Sequence, residues 1–276
     1  MKIALAIAPH DAQPSAFVVF RDRLEVCLEK ASRLGYDGVE LALATAADVD
    51  AGTVQALLDV HGLGLSAIST GRVFAEQKVW LTSPDPAVRR RAVEILSGLV
   101  DLAAVLGARR VNIGRVRGGI PEGEDRATAE ARFAEGIGEV AGRAAPHGIN
   151  VVLEPVNRYE LNFINSVLPD GIALVARLGI PNVKLMPDVF HMNIEDASIA
   201  ASLEAAAGRV GYVHLADSNR WAPGQGHTDF EAILGALRTI GYDDWVAVEI
   251  LPYPSPDEAA AQAIEHLRTL LPRASA

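Results

Sequence analysis

Short runs of apolar residues recur along the chain, separated by stretches in which apolar positions fall three and four residues apart. The short runs read as β-strands and the longer stretches as amphipathic helices, because side chains repeat every two residues in a strand and about every 3.6 in a helix. Eight strand-type runs can be marked: "KIALAIA" (2–8), "GVELAL" (38–43), "GLSAIST" (64–70), "RRVNIGRV" (109–116), "NVVLEPV" (150–156), "NVKLMPD" (182–188), "VGYVHLAD" (210–217) and "WVAVEI" (245–250). Helical segments such as "PAVRRRAVEILSGLVDLAAVLG" and "DFEAILGALRTIG" lie between them, and several end on a glycine suited to a left-handed C-cap, as in "RLGYDGVEL" and "RLGIPNVKL". Alternation of this kind predicts parallel strands with helical crossovers. Eight evenly spaced units predict an α/β protein closed into a single (β/α)8 TIM barrel over residues 1–276. An open, doubly wound sheet is the alternative, but it does not call for eight such units. In a barrel, chemistry collects where the strands end, at their carboxyl tips.

Composition narrows the function classes. Half of the 276 residues are hydrophobic and 5% are aromatic, a balance that suits helices packed on parallel strands. Lys and Arg number 25 against 35 Asp and Glu, a formal charge of −10, which disfavours a nucleic-acid partner. The densest basic run, "RRR" at 89–91, falls in a helical pattern and reads as a solvated face. A lone cysteine, Cys27, excludes an internal disulfide and reads as a core residue. The N-terminal apolar run reads as a first strand rather than a signal peptide, and no run approaches the roughly 20 residues that span a bilayer. A cytoplasmic protein with no membrane partner is expected.

The last four strands each carry an ionisable residue inside or at the end of an apolar run: Glu154, Asp188, His214 and Glu249. Burying an isolated charge costs several kcal/mol or more, so such residues need compensation. Singly, each has a bland reading: Glu154 in a turn before Pro155, Asp188 as a helix cap, His214 as a core histidine bonded to a carbonyl. On consecutive strands of a closed barrel they point to one centre, which a divalent cation would compensate. Three carboxylates and one imidazole favour Mn²⁺, Mg²⁺ or Co²⁺, with open positions, over a closed structural zinc site.

The segments "EPVNRYELNFINS", "DVFHMNIED" and "VHLADSNRWAPGQGHTDF" resemble the ketose 3-epimerases, a family of xylose isomerase-like barrels within the sugar isomerase and epimerase superfamily. That family includes D-tagatose, D-psicose and L-ribulose 3-epimerases, and "ADSNRWAPGQGH" is most similar to the branch with 5-keto-L-gluconate epimerase. The resemblance implies one divalent ion, foremost Mn²⁺, held by Glu154, Asp188, His214 and Glu249. It further implies substrate contacts by Glu160, His191 and Arg220, and a homodimer or homotetramer. "Met186-Pro187" departs from the family pattern before Asp188, and a proline there can re-aim the strand end.

Inverting a carbon beside a ketone requires one base on each face, and Glu154 and Glu249 are the expected pair. Three carboxylates against one dication leave the site net negative, which favours a neutral ketose over a phosphorylated one. "PGQGH" reads as a turn rather than a phosphate cradle, with Asp229 near the next helix's N-cap. On spacing alone His191 could equally orient Asp188; the resemblance favours substrate. Trp221 could wall a pocket or lie in an interface. Arg115 and Arg117 could meet the far end of an acidic sugar, but a surface loop with balanced charges is the preferred reading. Substrate choice beyond C3 is expected to lie in loops such as "GRVFAEQKVWLTSPD". The rival activities are an aldose–ketose or inosose-type isomerase on the same barrel, an endonuclease IV-like nuclease, which the charge and the few histidines disfavour, and a metal-bound sugar sensor.

Overall fold

The structure, a computed structural model, describes residues 1–13 and 17–271. Its elements run in chain order: β1 (Lys2–Pro9), β2 (Phe20–Asp22), α1 (Leu24–Leu34), β3 (Gly38–Ala42), α2 (Ala51–His61), β4 (Gly64–Ser69), α3 (Pro86–Val105), β5 (Arg110–Ile113) and α4 (Arg126–Ala144). They continue with β6 (Asn150–Leu153), α5 (Ile172–Leu178), β7 (Val183–Leu185), α6 (Val189–Glu195), α7 (Ile199–Ala205), β8 (Val213–Leu215), α8 (Phe230–Thr239), β9 (Trp245–Val248) and α9 (Pro256–Leu270). All the expected strand regions are found.

Eight strands pair in parallel in the order β7-β6-β5-β4-β3-β1-β9-β8. Two isolated parallel bridges, Leu185 with Val210 and Asp188 with His214, join β7 to β8 and close the ring. The hydrogen bonds there run from Leu185 N to Arg209 O (2.7 Å), Gly211 N to Leu185 O (2.8 Å) and His214 N to Pro187 O (2.9 Å). The expected (β/α)8 barrel is therefore what the chain builds.

Side-chain parity in the strands divides the core. On β1, Ile3, Leu5 and Ile7 join the large apolar core shared with the helices, whereas Ala4 packs with Ala67, Val152, Met186, Tyr212 and Ala247 in a smaller cluster. That second cluster draws one residue from each of several strands, as a barrel interior does. The same parity sends Val39 and Leu41 of β3, and Val213 and Leu215 of β8, toward the helices. It leaves Glu40 and His214 facing inward.

Helix ends follow the sequence signals. Asp50, Asp85, Asp125 and Ser255 accept N-cap bonds, and Asp229 does so from Ala232 N as expected. The C-caps at Gly35 and Gly179 lie in the left-handed region (φ 89° and 62°) that glycine adopts without a β-carbon clash. Cys27 is fully buried in the core. Arg90 and Arg91 are exposed and pair with Glu139 and Glu94, the solvated face expected of that run.

Three differences stand out. Strand β2, which the sequence pattern did not mark, adds parallel to β1 (Ile7 with Phe20). The run 109–116 stops as a strand at Ile113, and Arg115–Arg117 form one 3-10 turn. The ladder of β7 stops at Leu185, because Pro187 has no N–H to donate; pairing resumes at Asp188 through its single bridge. Among the described residues no helix is long and apolar enough to cross a membrane.

Candidate metal and active site

The four strand-end residues converge. Glu154 follows β6 directly, Asp188 lies just beyond β7, His214 lies within β8, and Glu249 follows β9. One ligand atom from each lies within 4.8 Å of all the others. Glu154, Asp188 and His214 are buried, and the Glu249 side chain is 15% exposed.

Asp188 shows how the bland and the sharp readings combine. Its Oδ1 caps α6, accepting from Phe190 N (2.8 Å) and His191 N (3.3 Å). Its Oδ2 is buried without a hydrogen-bond partner, and so is His214 Nδ1, 3.7 Å away. His214 Nδ1 also faces Glu249 Oε2 at 3.7 Å. Orphaned buried atoms of this kind are costly, and these two face one another across a carboxylate-lined gap. A divalent cation satisfies both at once, so the donor set fits the group that the strand ends imply.

Residues outside that set orient it. Glu40 Oε2 lies 2.9 Å from His214 Nε2, which directs the free Nδ1 lone pair of a neutral ring into the cluster. Asn157 Nδ2 lies 2.8 Å from His191 Nδ1, and the Asn157 Oδ1 is occupied by Tyr159 N (3.0 Å). The amide therefore donates to His191 Nδ1 and leaves the ring proton on Nε2, which lies 3.5 Å from Glu154 Oε1. Arg220 Nη2 donates to Glu249 Oε2 (2.7 Å) and Nη1 to Glu160 Oε1 (3.3 Å). Its guanidinium lies over the rings of Phe17 (3.8 Å to the centroid) and Phe190 (4.7 Å).

Electrostatics separate the three carboxylates. Burial, reinforced by Glu154 and Asp188, pushes Glu249 up to about 7, against the opposing pull of His214 and Arg220. Burial also works against the charge on Asp188, but His191, His214 and Arg220 outweigh it and hold that carboxylate well below its usual range. Glu154 is lowered too, its burial outweighed mainly by His191. For His214, burial disfavours the charged ring, yet Glu40, Glu249 and Asp188 raise it well above its ordinary value when no cation shares the site.

The structure brings all seven expected residues together: five line one cavity, and Asp188 and His214 cluster with two of those five, Glu154 and Glu249. A pocket is lined by Glu154, Glu160, His191, Arg220 and Glu249, with Arg115 on its wall. The loop at 71–85 contributes Gly71, Arg72, Ala75 and Glu76 to it. Trp221 instead stacks on Tyr253, with ring centroids 4.1 Å apart.

The two arginines after β5 part company. Arg117 is fully buried and donates to the carbonyls of Gly114, Glu154, Phe163 and Ile164. The surface-loop expectation therefore fails for it, and so does a substrate role: its donors are spent on backbone. Arg115 is half-buried in the pocket wall with its guanidinium 5.7 Å from the Phe74 ring.

Glu40, Asn157, Phe17 and Phe190 were missed by the sequence reading. Glu40 carried a usable signal, a lone carboxylate in the apolar run "GVELAL". Phe17 and Asn157 reach the site from loops that no periodicity describes, and Phe190 from the first turn of the short helix α6.

With this geometry in place, likeness to known proteins agrees. The chain belongs to the xylose isomerase-like TIM barrel family, whose model matches residues 28–270. Its relatives within that family include ketose 3-epimerases. An L-ribulose 3-epimerase of Mesorhizobium japonicum is 35% identical over 240 residues, 86% of this chain and 79% of that protein. A ketose 3-epimerase of Arthrobacter globiformis is 36% identical over 224 residues, 80% of this chain and 75% of that one. A solved structure of L-ribulose 3-epimerase superposes with a TM-score of 0.81 at 30% identity, over 97% of this chain and 94% of that chain.

Proposed function

We propose that this chain is a divalent-metal-dependent isomerase that interconverts a non-phosphorylated ketose with its C3 epimer. The substrate class is L-ribulose, D-tagatose, D-psicose or D-fructose, or a keto-sugar acid of similar size. The observation that carries the reading is the buried cluster of Glu154, Asp188, His214 and Glu249, whose ligand atoms lie within 4.8 Å and open into a cavity with Arg220 and His191 on its wall.

Glu154, Asp188, His214 and Glu249 would hold the divalent ion, which would supply positive charge to offset the negative charge on the ketone oxygen. The remaining work falls to side chains. Glu154 and Glu249 come from non-adjacent strands, β6 and β9, and serve as the two bases. One carboxylate takes the C3 proton from its own face, and a proton returns to the opposite face by way of the other. Arg220, fixed by Phe17 and Phe190, donates to Glu249 and orients it. Its remaining donors, with His191 and Glu160, hold the sugar's first oxygens. The apolar side chains Val156, Ala42 and Ala75 in the lining help to keep bulk water from the reacting carbon.

The reading extends to Mn²⁺ as the ion, a cytoplasmic location, and a homodimer or homotetramer. Metal analysis of the purified protein and sedimentation test the first and last of these. The deciding experiment incubates the protein with L-ribulose, D-tagatose and D-fructose in deuterated water and separates the products. Deuterium at C3 of an epimeric ketose is expected; an aldose product would replace this reading with isomerisation between C1 and C2.

A further inference from the structure

Arg220 occupies an unusual backbone position. Its φ is 61°, in the left-handed region that a β-carbon disfavours, so the surrounding loop must hold it there. The loop is "DSNRWAPGQGHT", residues 217–228, between β8 and α8.

At its start, Asp217 is fully buried. Its Oδ1 accepts from Ser218 N (2.7 Å) and Thr228 N (3.0 Å), and its Oδ2 accepts from Gly224 N (2.9 Å). The outgoing and returning arms of the loop are thus tied to one carboxylate. Its backbone closes the tight turn as well: Asp217 N donates to Trp221 O (3.0 Å), and Arg220 N donates to Asp217 O (2.8 Å). Gly226 packs so closely that an added β-carbon would lie 2.3 Å from Asp217 Oδ1. From this wound loop the Arg220 side chain reaches Glu249 and Glu160. The Arg220 carbonyl accepts from Leu251 N (2.8 Å), which fastens the loop to the segment just after Glu249.

We propose that Asp217 is the positioning residue that presents Arg220 to the active site: it gathers the backbone N–H groups of Ser218, Gly224 and Thr228 and so locks the left-handed turn from which Arg220 orients Glu249. Burial works against the charge, but the N–H groups of Ser218 and Thr228 are among the hydrogen bonds that hold this carboxylate below its usual range. Asp217 touches neither the metal-ligand cluster nor the cavity. Its effect on turnover passes through Arg220 alone, and the catalytic part of the claim rests on the reading given above.

Asp217→Asn is the direct test, because an amide keeps one acceptor oxygen for Ser218 N and Thr228 N but turns an NH2 donor toward Gly224 N, so the three bonds cannot all be kept. Its expected outcome is a kcat lowered 10- to 100-fold, a divalent-metal Kd within twofold of the unmodified protein, and less than twofold further loss when it is placed on Arg220→Ala. Gly226→Ala, which crowds the same carboxylate without removing its charge, is expected to reproduce the kcat loss. Unchanged kcat, a parallel loss of metal affinity, or an additive loss on Arg220→Ala would overturn the proposal. Hydrogen exchange at the Leu251 amide reads Arg220's placement without any substrate, and faster exchange is expected in Asp217→Asn. If the unmodified protein turns over no ketose, the epimerase reading fails. The Leu251 amide then still decides this one, and unchanged exchange would sink it.

Discussion

Glu40 Oε2 and His214 Nε2 lie 2.9 Å apart inside the barrel, one on β3 and the other on β8, both fully buried. The pair fixes which imidazole nitrogen faces the metal-ligand cluster. Glu40→Gln keeps the shape but removes the charge that favours an Nε2 proton. Metal affinity is expected to fall about 10- to 100-fold. Activity should return at high metal concentration, and metal titration by calorimetry checks it.

Metal binding should also be pH-dependent in a stated direction. Without a cation Glu249 holds its proton up to about 7, and His214 is raised as well. A ligand must shed its proton, so affinity rises with pH through about 7, by at most roughly tenfold per pH unit for each proton released, and goes on rising above that while His214 still holds its proton. The metal-free fold behaves oppositely. Because the folded chain holds the Glu249 proton more tightly than the unfolded chain, that contribution to stability is complete below the ordinary glutamate range. It is lost as pH rises through about 7. Thermal melts of chelator-treated protein from pH 4.5 to 8 test the sign.

Adding back the ion should stabilise the protein by mass action. At 100 times its Kd the gain is about 2.7 kcal/mol. A melting temperature that does not move with Mn²⁺ concentration would contradict a cation at this cluster.

Arg117 is a structural arginine. Its donors hold the carbonyls of Phe163 and Ile164, and Ile164 is itself left-handed at φ 58°. Arg117→Ala should destabilise the fold by about 3–5 kcal/mol, since four buried carbonyls lose their partner. Denaturant unfolding measures it. Selectivity between neutral and acidic ketoses should respond instead to Arg115→Ala, read as the ratio of kcat/KM on the two substrate classes.

Much of this molecule is legible before folding. The strand positions follow from apolar period, and the ligands follow from one rule, that a charge inside an apolar strand needs a reason. Applied to "GVELAL", the same rule would have found Glu40. Strand ends are less legible: Pro155 and Pro187 cut β6 and β7 short of the apolar runs that contain them. Arg117 eluded the pattern because its partners are carbonyls 46 and 47 residues away, and carbonyls leave no mark on residue type. The aromatic contacts of Arg220 join two distant loops and the start of α6, whose approach only the closed ring dictates.

The junction of β7 with β8 has one more consequence. There the ring is stitched by two lone bridges rather than a continuous ladder, and the upper stitch is Asp188 with His214. The two residues therefore flank the seam and also offer the orphaned atoms that a dication would clasp. An ion bound there acts as a rivet across the cylinder's joint. Its departure should let the staves at that joint breathe first, while the β1–β3 side keeps its protection.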